Sequence, residues 1–229
     1  IALFFLSVVF FNHVISQSKI LDNIHYINDL TFASEHTRKF IFDGWGIPLW
    51  TPYFYAGQPF LAVPEHYLFD LNFLYIVAFN NIFLAMNLAL VTYFFLAGVG
   101  MFMLTMSLLN KPWPSLVAAI LYMLNGFVTH FIIPGHLNLM EGYALIPFVI
   151  LLLHSAMVKE EWLMPSIGAG ILLGLMILSG SIIFLLYTLL IIGVYVVISL
   201  MKRNVLNRAV KAVKIGAIMA LVSFGVSAI

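Results

Sequence analysis

Residues 82–108 read IFLAMNLALVTYFFLAGVGMFMLTMSL, with no charged side chain anywhere in the run. A helix rises about 1.5 Å per residue, so about 20 apolar residues cross the hydrocarbon core of a bilayer. This stretch is long enough to cross, and it fixes lipid as the solvent for the rest of the chain. Working outward, comparable runs lie at 1–16, 115–133, 139–157, 165–179, 181–201 and 214–229. The stretch 66–80 is apolar and aromatic but broken by Asp70, Asn72 and Asn80, and reads as a segment in the membrane interface. The expected architecture is an all-α polytopic integral membrane protein with one long outer loop, 17–69. Residues 1–229 form the N-terminal part of one transmembrane domain. The chain opens at Ile1 inside one apolar run and stops at Ile229 inside another, so both ends are expected to be truncations.

Composition agrees. The chain is 63% hydrophobic and 8% charged, with a mean hydropathy of +1.09. A soluble domain is about half apolar and about a quarter charged. The net charge of +1 points to no polyanionic partner. Without cysteine, disulfides, thiolate metal sites and cysteine nucleophiles are excluded. No phosphate-binding glycine loop, HExxH or DxD motif occurs.

Basic residues set the orientation. Lys111, Lys159 and the group Lys202, Arg203, Arg208, Lys211 and Lys214 fall on one side if each span crosses once, and cytoplasmic loops are the basic ones. The loop 17–69 and the turns Pro134–Asn138 and Ser179–Ser181 then lie outside the cytoplasm, which predicts a multi-pass plasma-membrane protein.

The outer loop is long for a connector. Its first half, Asn28–Asp43, has the pattern of a surface helix, capped by Asn28 or Asp29 and ended by Gly44, with Leu30, Ala33, Phe40 and Ile41 on its apolar face. Glu35 stands at pairing distance from Arg38 and Lys39. The second half, GWGIPLWTPYFYAGQPF from Gly44 to Phe60, holds too many prolines and glycines for regular structure. Its aromatic residues serve either as an interfacial belt or as a platform for a sugar or prenyl chain.

Candidate chemistry collects at the outer face. Asp29 is either a helix cap or a general base. His136, Asn138 and Glu141 join the third and fourth spans, with His130 a turn below. Such a set either rests on water and headgroups or positions a phosphate and accepts a proton. His13, His25, His66 and His154 read as isolated structural residues.

The loop resembles that of the GT-C superfamily of membrane glycosyltransferases, and within it the YfhO-type bacterial membrane proteins. Gly46, Pro48, Leu49, Trp50, Pro52, Tyr53, Gly57 and Pro59 match a G-x-P-L-W-N-P-Y-x-x-x-G-x-P-like stretch, with Thr51 in place of the usual Asn. The run GHLNLMEGYALIPFVILLL, from Gly135, and Ser179-Gly180 are also similar. Phe32 departs from the Gln that members often carry three residues after the acid. The resemblance implies a GT-C-like helical bundle, a polyprenyl-phosphate-linked sugar as donor and a catalytic acid in the first outer loop, at Asp29.

The expected function is therefore sugar transfer to a cell-envelope acceptor on the non-cytoplasmic face. Arg38, Lys39 and His136 are candidates for the lipid phosphate. The Trp45–Tyr55 stretch, with Trp45, Trp50, Tyr53 and Tyr55, would flank the sugar, and Gln58 and Asn138 are further substrate-binding candidates. Glu141 would hold His136 or a divalent cation; no resident metal or other cofactor is otherwise expected, and nucleic acid is not an expected partner. Two alternatives stand beside this: a transporter or flippase of a lipid-linked saccharide, and a non-catalytic membrane scaffold.

Overall fold

The computed structural model describes residues 2–12, 36, 38–41, 43, 49–52, 56–60, 71–79, 81–127, 137–201 and 205–228. Its helices are α1 (Ala2–Phe10), α2 (Leu71–Ala78), α3 (Ile82–Leu109), α4 (Pro112–Met123), α5 (Leu137–Val158), α6 (Leu163–Leu178), α7 (Ile182–Leu200) and α8 (Val205–Ser227). One antiparallel pair of short strands, β1 (Trp50–Thr51) and β2 (Gln58–Pro59), precedes α2. By length and composition α3, α5, α7 and α8 can each cross a membrane, and α4 and α6 are shorter apolar helices. Helices satisfy every backbone group within the segment, which a lipid solvent demands. The described chain is thus an essentially all-helical membrane protein.

The chain divides into two compact units, residues 1–95 with 125–140 and residues 96–124 with 141–229. In the first, α1 lies on the N-terminal half of α3 through aromatic rings. Phe10 stacks on Phe94 at 5.3 Å, Phe11 meets Phe94 edge-on at 5.1 Å, and Phe4 meets Phe95 at 5.6 Å. The expected interfacial segment is helical over Leu71–Ala78 and is tied to α3 by polar contacts. The Tyr75 and Thr92 hydroxyls are 2.8 Å apart, and the Leu71 amide donates to the Tyr93 hydroxyl at 3.1 Å.

In the second unit, α3 turns into α4 through Asn110, whose φ of 51° suits an Asn in the left-handed region. Pro112 then opens α4, where a missing amide costs nothing. The expected span 115–133 is not one unbroken helix: α4 starts earlier and ends at Met123, with Leu124 at φ −96°, ψ 15°. The following Asn125-Gly126 pair has low helix propensity. At the far end α8 begins at Val205, ahead of the expected 214, so Arg208, Lys211 and Lys214 ride on the helix itself.

Helices α6 and α8 form the main contact of this unit. A Cβ on Gly170 would fall 2.8 Å from Val222 Cβ and 2.9 Å from the Met219 oxygen; one on Gly174 would fall 2.7 Å from Val226 Cβ. The Gly170-x-x-x-Gly174 spacing lets the backbones approach, the favoured way to join helices in lipid. Helix α6 ends in a Schellman motif. Ser181 donates to the Met176 oxygen, Gly180 donates to the Ile177 oxygen, and Gly180 takes φ 72°.

The two ends of this unit bring together the turns that charge alternation pairs. Gly142, near the start of α5, lies against Ser181. At the opposite end Lys211 Nζ donates to the main-chain oxygens of Lys159 at 2.6 Å and Met157 at 3.2 Å, capping the C-terminus of α5.

Candidate functional site

The Gly44–Phe60 stretch acquires order where its strands pair. Trp50 faces Pro59 and Thr51 faces Gln58, and the Phe60 amide donates to the Leu49 oxygen at 2.8 Å. Ala56 at φ 62° and Gly57 at φ 111° turn the chain just before β2. The Trp50 indole lies on Gly57 so closely that a Cβ there would sit 2.6 Å from Trp50 Cζ2. Glycine is thus required twice over, by backbone angle and by contact. Phe60 is fully buried, with its ring 5.4 Å from His36. Trp50 remains 55% exposed and Leu49 66%. The hairpin is held down by Phe60 and leaves the indole exposed.

His36 and Arg38–Ile41 are helical, as expected for the end of the surface helix, and Asp43 donates back to the Lys39 oxygen at 2.8 Å. His36 also lies 5.5 Å from Phe40, so this helical turn and the hairpin share one aromatic anchor. Arg38 is half-buried, Lys39 is exposed, and Gln58 is half-buried on β2. The His36–Phe60 contact sets the helical turn that carries Arg38 and Lys39 beside the hairpin that carries Trp50 and Gln58. Asp29, Trp45, Tyr53, Tyr55, His130 and His136 lie outside the described residues.

Asn138 and Glu141 stand one turn apart near the start of α5, 9% and 5% exposed. Glu141 is thus enclosed by protein, where an acid is costly unless it is paired. Next to it, Tyr143 stacks on Tyr122 at 4.3 Å and 9°. Tyr122 donates its hydroxyl to the Tyr143 oxygen at 2.9 Å, and Tyr143 donates to the Tyr122 oxygen at 2.6 Å. The Ser179 and Ser181 hydroxyls, both buried, are 3.1 Å apart.

Sequence reading missed this tyrosine pair; Pro147 inside a span was the available signal, because it must free one carbonyl. It also took His154 as isolated, whereas His154 Nδ1 lies 2.8 Å from the Tyr195 hydroxyl. Asn72, singled out as a break in an apolar stretch, is buried on α2. Among the described residues, no three His, Asp or Glu side chains come together in a way that could hold a metal ion. Compared with protein families, curated proteins and solved structures, the chain matches no family model, no curated protein and no solved structure.

Proposed function

We propose that this chain is part of the membrane domain of a GT-C-like glycosyltransferase of the YfhO type, which moves a sugar from a polyprenyl-phosphate-linked donor to a cell-envelope acceptor outside the cytoplasm. The observation that carries this reading is the Leu49–Phe60 hairpin. The residues of the sequence resemblance, Trp50, Gly57 and Pro59, are those that build it, and the helical turn that carries Arg38 and Lys39 adjoins it through the His36–Phe60 contact. An exposed aromatic plane suits the apolar face of a sugar, and neighbouring cations suit a phosphate. In the reaction, Asp29 takes the proton of the acceptor hydroxyl as its oxygen bonds to the anomeric carbon. The bond from that carbon to the phosphate oxygen breaks, and polyprenyl phosphate leaves with the electron pair.

Transport of a lipid-linked saccharide is the second reading, favoured by one observation: Glu141 is an enclosed acid on a membrane-length helix. Full-length protein in membrane vesicles, given radiolabelled polyprenyl-phosphate sugar and an envelope acceptor fraction, separates the two. Transfer by wild type and its loss in Asp29→Asn, at equal protein level, supports the transferase. Equal transfer by both removes Asp29 from the chemistry. No transfer, with labelled lipid changing leaflet in a Glu141-dependent way, replaces the transferase with a transporter.

A further inference from the structure

Within residues 141–229, an apolar cavity of about 320 Å³ runs between α7 and α8, with Leu153 of α5 and Leu173 of α6 at its back. On α8 the wall is the stripe Ala212, Ile215, Gly216, Met219, Ala220, Ser223 and Phe224. From Ala212 to Phe224 this spans about 18 Å of helix axis, close to the depth of one leaflet. The wall's serine is satisfied locally, since Ser223 donates to the Ala220 oxygen at 3.0 Å. The space is open because its floor is small: a Cβ on Gly216 would meet nothing within 4 Å. It cannot close by α8 moving inward, because Gly170 and Gly174 already hold α8 in backbone contact with α6.

One end of this slot is polar. Arg208 stands four residues before Ala212, on the same face of α8, and its side chain leans toward the helix N-terminus. On α7, Tyr195 adjoins the wall residue Val196; its hydroxyl lies 2.8 Å from His154 Nδ1, and it is within electrostatic reach of Arg208. A guanidinium, a phenol and an imidazole thus stand just beyond one end of a hydrocarbon-lined groove. A water-filled slot would need polar partners along its length.

We propose that this groove holds one acyl chain of an anionic glycerophospholipid, with its phosphate at Arg208 and the Tyr195–His154 pair. The site is independent of the transferase reading: it lies at the end of this unit where Lys211 meets Lys159, opposite the Gly142–Ser181 end. The test uses full-length protein reconstituted in nanodiscs of phosphatidylcholine with or without phosphatidylglycerol, released into mild detergent and weighed by native mass spectrometry. Wild type is expected to retain one phosphatidylglycerol in preference to phosphatidylcholine. Gly216→Leu, which fills the slot, and Arg208→Gln, which removes the charge, are each expected to lower retention about tenfold. Val194→Leu, at an exposed α7 position outside the slot's lining, is expected to leave it unchanged. If Gly216→Leu fails to fold, Arg208→Gln alone decides. Retention unaffected by Arg208→Gln, no preference for the anionic headgroup, or a polyprenyl phosphate found in place of phospholipid each overturns the assignment.

Discussion

The Tyr122 hydroxyl donates at 2.9 Å to the main-chain oxygen of Tyr143, the acceptor that Pro147 leaves without an in-helix donor four residues on. The reciprocal bond, from the Tyr143 hydroxyl to the Tyr122 oxygen, serves one of the last carbonyls of α4, which a helix cannot satisfy itself. Two backbone defects are thus repaired by one stacked tyrosine pair. In lipid no water is present to repair them otherwise. Tyr122→Phe is expected to cost about 1–3 kcal/mol, the penalty of an unsatisfied buried acceptor. Adding Pro147→Ala restores an amide donor to the same oxygen, so the double variant should recover most of the loss. Thermal unfolding in detergent measures all corners of the cycle, and strictly additive losses would contradict the repair.

Backbone contact between α6 and α8 makes a second expectation. Gly170→Leu or Gly174→Leu must push against Val222 or Val226 and neighbouring backbone oxygens. Each should cost about 1–3 kcal/mol or more. Gly193→Leu, in open space, should be near neutral by the same melting measurement.

Orientation can be read directly because the chain has no cysteine of its own. Asp43 and Glu160 are both exposed. Asp43→Cys should react with a membrane-impermeant maleimide in intact cells, and Glu160→Cys only after the membrane is opened. The reverse pattern would invert the topology drawn from Lys111, Lys159 and the Lys202–Lys214 group.

The hairpin predicts a functional effect separable from folding of the bundle. Trp50→Ala removes an exposed indole and should leave membrane insertion intact while reducing sugar transfer at least about tenfold, or about 1.4 kcal/mol of transition-state stabilisation. Gly57→Val should act in the same direction, by displacing the indole from its seat. Normal transfer by both would reduce Trp50 to an interfacial anchor.

Composition and periodicity by themselves determined the solvent and therefore the class of structure. A chain 63% hydrophobic with uncharged runs such as Ile82–Leu109 can satisfy its backbone in lipid only as helices. The glycine–proline punctuation of Gly44–Phe60 likewise announced an irregular, aromatic loop. What these cues could not fix were relations between residues distant in the chain. Tyr122 meets Tyr143, His154 meets Tyr195, Lys211 caps α5, and Gly170 admits Val222, because helix rotation and approach bring one particular side of each helix to its neighbour. In segments apolar all round, no amphipathic stripe records which side that is. The α4 boundary was misread because residues 115–133 are apolar enough as a whole to read as one span by hydropathy, yet the helix ends at Met123. The hairpin's seat was equally tertiary, since only the fold sets Phe60 against His36 and leaves Trp50 in the open. Lipid selects helices from local composition, but their partners are chosen by packing and by the few polar groups that lipid cannot satisfy.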